Sequence, residues 1–398
     1  MPEVPYSEIL AHKDDYLQWQ YECPDHLELS TGYEDYEDDL KRYTSVDFIT
    51  GNDETRDKIV NWVTDIYQEV GIFPIKYFSS MGAYAEALAV SSTPATFNGD
   101  TISVSGRGNA LCSWLFPNLF KTESVVAGDS GPTSAYDKFM DRDWCSRMVR
   151  FNFQYNTPDG VTVTYPGINP ISGLRMTGSV PTNFRPLNAK GIYEKFTPAG
   201  GTIYDFACGF GGRMLGALSS EKNFKYIGTD PNTETMYNLH RLGKVVDEVF
   251  DVDDKLELHC CGSEEYVGEP NSVDFAFSSP PYFNLEQYGT DGADFNNEKQ
   301  CFNKYPTIES WLEGYVRGTV RSIRQVLKPG RYYAVNIADF NFGGGRINYV
   351  DDWVRISTEE GMPLYHTFYL GIKARTGSKL LGTGDSLKRE PILLFKRG

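Results

Sequence analysis

The sequence predicts an α/β protein, with a parallel sheet covered by helices over residues 181–398 and an N-terminal α+β domain over residues 1–180. The chain has 398 residues, which exceeds the usual size of a single domain. After residue 180, apolar runs of strand length alternate with amphipathic helical segments, as is typical of a parallel sheet with helices on both faces. The last two apolar runs follow each other without a helix, so they predict a C-terminal antiparallel strand pair.

The elements of the C-terminal domain follow one another in regular order. We predict strands at residues 202–204, 225–228, 256–259, 273–277, 332–337, 363–372 and 391–396, and helices at residues 213–219, 236–246, 308–327 and 350–357. The helix at 308–327 carries Trp311, Tyr315 and Ile323 on one side, and Lys328-Pro329-Gly330 ends it. Ligands of such sheets bind at the carboxyl ends of the strands, so we expect the functional site in the loops that follow them.

The N-terminal domain is richer in turns and shows less regular periodicity. One helix is predicted there, from about residue 53 to residue 70, and Gly71 is its stop. Its apolar side chains recur at helical spacing, namely Ile59, Trp62, Val63, Ile66 and Val70.

The composition predicts a globular protein of a reducing compartment. Apolar residues make up 40% and charged residues 23%, which is an ordinary balance. Because no run of eighteen apolar residues and no apolar segment near the start occurs, we expect no membrane association, no signal peptide and a cytoplasmic location. The seven cysteines contain no C-x-x-C pair and the five histidines no ligand spacing, so neither a disulfide framework nor a metal site is expected.

The net charge of −16 is unusual for a protein that binds nucleic acid. The acidity is concentrated at the start, since residues 1–70 hold 18 Asp and Glu against five Lys and Arg. The last 28 residues are basic, with seven Lys and Arg against two acidic residues. A local basic surface is therefore compatible with the negative net charge, although the net charge does not predict one.

A glycine-rich loop follows the first predicted strand and opens a helix. It reads Asp205-Phe-Ala-Cys-Gly209-Phe-Gly211-Gly212-Arg213, and its glycines allow a ligand to approach the backbone closely. Asp230 ends the next strand, at the position where an acid binds a ribose diol. These features fit a dinucleotide as well as S-adenosylmethionine, but Met214 replaces the third glycine of G-x-G-x-x-G. An acid at Asp205 also favours an ammonium group over a pyrophosphate.

The predicted strand at 273–277 leads directly into Ser279-Pro280-Pro281-Tyr282. An exocyclic amine of a base is a poor nucleophile because its lone pair is delocalised, and hydrogen-bond acceptors around its N–H groups favour its attack. The Ser279 hydroxyl and the Pro280 carbonyl can act as such acceptors, while Tyr282 offers a face for stacking of an extruded base. In isolation a Pro-Pro pair is an ordinary turn; its place after this strand, beside the glycine loop, favours the functional interpretation.

Together these motifs resemble those of the amino-methylating DNA methyltransferases, including phage-encoded members. The similarity covers about residues 180–398: the loop 205–211, Asp230, the (Asp/Asn/Ser)-Pro-Pro-Tyr motif, and the segment 183–193, which resembles one that the family folds over the cofactor. The resemblance implies a Rossmann-like class I methyltransferase sheet and S-adenosylmethionine as cofactor. By the same resemblance the catalytic residues are Ser279, Pro280, Pro281 and Tyr282, and the cofactor-binding residues are Phe184, Asp205, Ala207, Cys208, Gly209, Gly211, Asp230, Pro231, Ser263 and Glu264.

Two departures from the family pattern affect the cofactor site. Phe206 and Phe210 differ from the usual Asp-Pro-Phe-Cys-Gly-Ser-Gly loop, and Ser263-Glu264 follows Gly262 where an Asp is common. Serine at the first motif position favours N4 of cytosine over N6 of adenine within the family. No Pro-Cys dipeptide occurs, which disfavours the covalent mechanism of cytosine C5 methylation.

The expected partner is double-stranded DNA, but the motif leaves alternatives open. Pro-Pro-Tyr also serves enzymes that methylate adenine N6, RNA bases or protein glutamine, and a non-catalytic binding module of the same fold is a further alternative. We expect residues 1–180 to recognise the target, because the core alone reaches only the flipped nucleotide. The candidate DNA contacts are Lys76, Arg107, Lys121, Arg142, Arg147 and Arg150. The loop 284–305, which contains Tyr288, is interpreted as a mobile cover over the base.

Overall fold

The computed structural model describes most of the C-terminal half and several segments of the N-terminal half. The described residues are 3–11, 52–70, 78–102, 105–124, 134–155, 183–283, 285–288, 298–342, 345–372 and 388–398.

The described residues contain thirteen strands and fourteen α-helices. The strands are β1 (Phe97–Asn98), β2 (Thr101–Ile102), β3 (Glu123–Ser124), β4 (Thr202–Asp205), β5 (Lys225–Thr229), β6 (Leu256–His259), β7 (Val273–Ser278), β8 (Glu286–Gln287), β9 (Leu327–Asn336), β10 (Phe340–Phe342), β11 (Gly345–Ile347), β12 (Leu364–Ile372) and β13 (Lys388–Lys396). The helices are α1 (Tyr6–Ala11), α2 (Asp53–Val70), α3 (Ser80–Ser92), α4 (Asn109–Leu115), α5 (Asn118–Lys121), α6 (Ala135–Met140), α7 (Arg142–Tyr155), α8 (Pro186–Phe196), α9 (Gly212–Leu218), α10 (Thr233–Phe250), α11 (Cys301–Lys304), α12 (Ile308–Trp311), α13 (Arg317–Val326) and α14 (Tyr349–Glu359).

A nine-stranded sheet in the order β1-β2-β12-β13-β9-β7-β4-β5-β6 forms the centre of the described structure. Five neighbouring strands at one side of the sheet, β9, β7, β4, β5 and β6, are parallel, whereas β13 runs antiparallel to both β9 and β12. The predicted Rossmann-like parallel sheet with a C-terminal antiparallel strand pair is therefore confirmed. The chain order reverses between β4 and β7, and a ligand site is expected at the carboxyl ends beside such a reversal.

Two apolar cores cover the two faces of the sheet, because side chains alternate along each strand. On one face, Ile203 of β4 and Phe275 of β7 pack with α8, α9 and α10. On the other face, Tyr204 and Ala276 pack with α13 and α14. The central strands are buried on both sides, which explains why they read as nearly continuous apolar runs.

Local capping defines several helix starts. Asn232 accepts a hydrogen bond from the Thr235 amide at the start of α10 (3.0 Å), and Pro186 occupies the first turn of α8. Between α12 and α13 lies a π-helical segment, Leu312–Val316. The predicted helix at 308–327 is thus present but contains this irregular turn, which the periodicity did not indicate.

The largest difference from the predicted elements lies at the start of β9. This strand begins at Leu327 rather than at residue 332, whereas the helix before it ends at Val326, just before Lys328-Pro329-Gly330, close to the predicted stop. The pairing with β7 shifts between Val273↔Leu327 and Phe275↔Tyr332. The intervening residues form a bulge, in which Gly330 takes a positive φ of 75°.

Segments from the N-terminal half contribute to the same sheet and core. β2 pairs in parallel with β12, and α3 and α4 place Val90 and Leu115 in the same apolar core as Ile203. The division at residue 180 into two domains stays a prediction. The predicted helix at 53–70 is confirmed as α2, and among the described helices none is long and apolar enough to span a bilayer.

Candidate functional site

The loops after β4, β5 and β7 leave the sheet at one edge and are hydrogen-bonded to one another. The Ser278 hydroxyl, at the end of β7, donates to the Ala207 carbonyl (3.1 Å). The Gly209 amide donates to the Asp230 carboxylate (3.0 Å). These bonds bring the predicted glycine loop, ribose acid and Pro-Pro-Tyr motif together.

The glycine loop is tightly enclosed by its surroundings. Gly209 and Gly211 have positive φ values of 55° and 73°, which favour glycine. A Cβ on Gly211 would lie 2.6 Å from the Phe116 ring, and one on Gly212 would lie 1.9 Å from the Phe184 carbonyl oxygen. The loop therefore requires glycine for packing as well as for backbone conformation.

The Asp205 carboxylate lies inside the protein and binds internal partners. Arg213 Nε donates to Asp205 Oδ2 (2.8 Å), and the Tyr226 hydroxyl donates to the same oxygen (2.7 Å). Neither partner was identified from the sequence. The expectation that Asp205 receives an ammonium group stays a prediction.

Asp230 lies at the end of β5, as predicted, with both carboxylate oxygens held by backbone amides. Oδ2 accepts from Gly209 (3.0 Å) and Oδ1 from Asn232 (3.0 Å). Burial raises the pKa of Asp230 to about 6, although these two hydrogen bonds act in the opposite direction. Each oxygen keeps a lone pair for a ligand.

Ser263 and Glu264 follow β6 at the same edge of the sheet. The Ser263 hydroxyl is bonded to that of Thr319 (2.7 Å). Glu264 Oε1 accepts from Lys304 Nζ (2.7 Å) and from the Tyr305 hydroxyl (3.4 Å). Glu264 Oε2 is buried and has no hydrogen-bond partner among the described residues. A hydrogen-bond donor on a bound molecule would satisfy this oxygen.

Ser279 and the two prolines form the exit of β7. The Ser279 hydroxyl donates to the Asn336 carbonyl of β9 (3.3 Å). Because the hydroxyl proton of Ser279 is donated to this carbonyl, its oxygen can only accept a hydrogen bond from a bound ligand. Pro280 is buried, and Ser279 and Pro281 are partly exposed.

The Tyr282 ring is held in a fixed orientation at the end of the motif. Its hydroxyl accepts from the Ala338 amide (3.0 Å) and donates to Glu390 Oε1 (3.5 Å). Burial raises the pKa of Tyr282, and the Glu390 carboxylate raises it further. The rings of Phe340 and Tyr349 lie edge-on, at centroid distances of 5.9 and 5.6 Å, and the buried Tyr349 hydroxyl has no hydrogen-bond partner among the described residues.

The chain after the motif is anchored to the N-terminal half. β8 pairs with β3, the Tyr288 amide donates to Gln300 Oε1 (2.7 Å), and the Tyr288 hydroxyl donates to the Glu286 carboxylate. The Tyr288 ring lies 6.2 Å from that of Phe210 in the glycine loop. Residues 284 and 289–297 of the predicted mobile cover lie outside the described residues.

Three other predicted cofactor residues make internal contacts. The Phe184 ring packs against Phe277 at 5.3 Å, while the neighbouring Asn183 side chain donates to the Phe210 carbonyl (2.8 Å). The Cys208 thiol is buried and contacts the Asp205 carbonyl (3.7 Å), and burial raises its pKa. Pro231 is partly exposed, and its carbonyl contacts the Cys260 thiol (3.7 Å).

Most of the basic residues that were predicted to contact DNA have neighbours within the protein. Arg142 forms an ion pair with Asp65 (2.6 Å), Arg150 pairs with Asp57, and Arg107 lies 4.0 Å from Glu86. Arg147 stacks over Trp144 and Lys121 over Tyr136. Lys76 lies outside the described residues. Within the described ranges, no cluster of His, Cys, Asp and Glu could hold a metal ion.

Comparison with known proteins finds similarity in structure only. The sequence matches no family model and no curated relative. A geranyl diphosphate C-methyltransferase from Streptomyces coelicolor A3(2), solved with Mg²⁺, geranyl diphosphate and S-adenosyl-L-homocysteine, is 12% identical, with a TM-score of 0.37 over 61% of this chain and 86% of that chain. A TehB-like SAM-dependent methyltransferase from Corynebacterium glutamicum is 14% identical, with a TM-score of 0.32 over 58% of this chain and 97% of that chain. At these identities the likeness concerns the fold alone.

Proposed function

We propose that this chain is an S-adenosylmethionine-dependent methyltransferase that methylates the exocyclic amino nitrogen of a base flipped out of double-stranded DNA, with N4 of cytosine as the target. One observation carries the proposal. Ser279-Pro280-Pro281-Tyr282 lies at the carboxyl end of β7, directly after Ser278, whose hydroxyl is bonded to the glycine loop (3.1 Å). An acceptor for an amine and a flat aromatic ring thus lie beside a loop suited to a nucleoside.

The residues around the glycine loop fit the adenosine part of the cofactor. The Asp230 carboxylate has lone pairs for the ribose hydroxyls, and the unpartnered Glu264 Oε2 can accept from the adenine amino group. The glycine backbone permits close approach. When bound, the cofactor supplies a methyl group on a sulfonium sulfur.

Ser279 and Pro280 prepare the attacking amine. Since the Ser279 proton is donated to the Asn336 carbonyl, the oxygen can accept an N–H of the base. The Pro280 carbonyl can accept the other N–H, and together they favour the rehybridised nitrogen whose lone pair attacks. A covalent cysteine route is disfavoured, because burial raises the pKa of Cys301, a thiol close to this motif, to about 12.

Tyr282 is the proposed stacking platform for the flipped base. Its two hydroxyl hydrogen bonds fix the ring before the base arrives, so little side-chain entropy is lost on binding. Stacking of a base on an aromatic ring contributes about 1–3 kcal/mol.

The same geometry accepts other planar amines, namely N6 of adenine, an RNA base or a glutamine side chain. The cytosine assignment depends on the serine of the motif and on the family resemblance. The ion pairs of Arg142 and Arg150 favour glutamine as the second candidate, because that substrate carries no phosphate and needs no free basic surface.

The test is to incubate the protein with methyl-labelled cofactor and, separately, duplex DNA, RNA and unmodified protein, and to identify the products by mass spectrometry. We expect N4-methylcytosine from duplex DNA, formed more slowly with Tyr282→Ala. N6-methyladenine as the sole methylated product would refute the cytosine assignment. Label confined to glutamine would refute the DNA substrate.

A further inference from the structure

A buried ion pair lies beneath the glycine loop of the candidate site. Arg213, in the first turn of α9, exposes 5% of its side chain, and its partner Asp205 exposes none. Arg213 Nε donates to Asp205 Oδ2 (2.8 Å), where the Tyr226 hydroxyl also donates (2.7 Å). The carboxylate is therefore neutralised by an internal cation.

The same guanidinium also contacts the other parts of the site. Its Nη2 donates to the Ala207 carbonyl, which accepts from Ser278 at the end of β7 as well (3.1 Å). Its central carbon lies 5.8 Å from the centre of the Phe184 ring. One side chain thus connects the start and middle of the loop with the segment before α8 and, through Ala207, with the exit of β7.

This arrangement changes the role of the loop acid. Asp205 Oδ2 already accepts two hydrogen bonds, and Oδ1 accepts a longer one from the Ala207 amide (3.4 Å). A ligand ammonium would need to compete with a guanidinium that is already desolvated and in place. Removing one partner of such a pair leaves a buried charge, which is unfavourable.

We propose that Arg213 is a positioning residue of the cofactor site and that Asp205 acts through Arg213 rather than by contacting the amino-acid end of the cofactor. This rests on the proposed cofactor, S-adenosylmethionine. The pair holds the backbone of residues 205–212 in the shape that receives adenosine. Its loss should therefore weaken ligands with and without the amino-acid end by the same factor.

Two probes separate positioning from direct contact. S-adenosylhomocysteine carries the amino-acid end, whereas 5′-methylthioadenosine lacks it. Calorimetry would measure both affinities for the wild-type protein and for the double variant D205N/R213M, which removes both charges together and leaves no unpaired one. We expect both affinities to fall by the same factor, about tenfold, because hydrogen bonds to charged groups are lost.

A matched control lies at the opposite edge of the same sheet. Asp274, near the start of β7, accepts from Lys328 (2.8 Å) and from the Thr202 amide (3.1 Å). The variant D274N/K328M should leave both affinities unchanged. Tyr226→Phe is the milder second variant should D205N/R213M fail to fold, and it should weaken both ligands equally by about threefold.

The outcomes are distinct. Loss of S-adenosylhomocysteine affinity with normal 5′-methylthioadenosine affinity, in the double variant or in Tyr226→Phe, would overturn the inference, since it shows contact with the amino-acid end. Unchanged affinity for both ligands in a folded double variant would also overturn it. A wild-type protein that binds neither ligand refutes the proposed cofactor before any substitution is made.

Discussion

Lowering the pH from 7 to 5 is expected to weaken the binding of S-adenosylhomocysteine by about tenfold through Asp230. Burial raises the pKa of this carboxyl to about 6, so it is mostly ionised at pH 7 and mostly protonated at pH 5. The backbone amides of Gly209 and Asn232 already use one lone pair on each oxygen. A proton on either oxygen therefore competes with a ribose hydroxyl for the remaining acceptor sites.

The magnitude follows from the fraction of protein in the binding-competent, ionised form. With a pKa of about 6, that fraction is about nine tenths at pH 7 and about one tenth at pH 5. Because apparent affinity scales with the competent fraction, the expected loss is about tenfold. The sign is fixed by the raised acid pKa: binding is strongest above pH 7 and is lost as the pH falls through 6.

Calorimetric titration at pH 5, 6, 7 and 8 and constant ionic strength measures this effect. Asp230→Asn is the control, since it cannot ionise; its affinity should be about 1–3 kcal/mol weaker at pH 7 and should not vary over this range. A flat profile for the wild-type protein, or an equally steep one for Asp230→Asn, would remove Asp230 from the cofactor site.

The remaining predictions concern the base, the adenine, the loop and the DNA surface. Tyr282→Ala should lower the rate of methyl transfer and leave S-adenosylhomocysteine affinity unchanged, while Tyr282→Phe keeps the ring and should be milder; equal losses would contradict stacking. Glu264→Ala should abolish the preference for S-adenosylhomocysteine over S-inosylhomocysteine, which lacks the amino group, and an intact preference argues against this contact. Gly212→Ala should lower the midpoint of thermal unfolding, because its Cβ would lie 1.9 Å from the Phe184 carbonyl oxygen, and an unchanged midpoint would show that the loop can relax. Arg107→Glu with Arg147→Glu should weaken DNA binding with a shallower salt dependence, and an unaltered slope would place the DNA elsewhere.

Much of the C-terminal fold could be predicted from local patterns. Alternating apolar runs and amphipathic helices indicated β4 to β7, because burial on both faces of a parallel sheet requires apolar strands. The glycine loop, Asp230 and the Pro-Pro-Tyr motif each follow one of those strands. Because the carboxyl ends of parallel strands lie at the same edge of a sheet, they could be predicted to lie close together. The bulge in β9 escaped prediction, because a glycine and a proline after a helix normally signal a turn.

The local sequence therefore determined which strands form and at which edge the site lies, since both depend on periodicity and on loops that directly follow strands. Only the tertiary structure decided the partners of the site residues. Asp205 meets Tyr226, 21 residues away, because β4 pairs with β5, and Tyr282 meets Glu390, 108 residues away, because β13 lies next to β9. Such contacts have no periodic signal, since they depend on which strands become neighbours, and that is settled when the whole chain buries its apolar faces together.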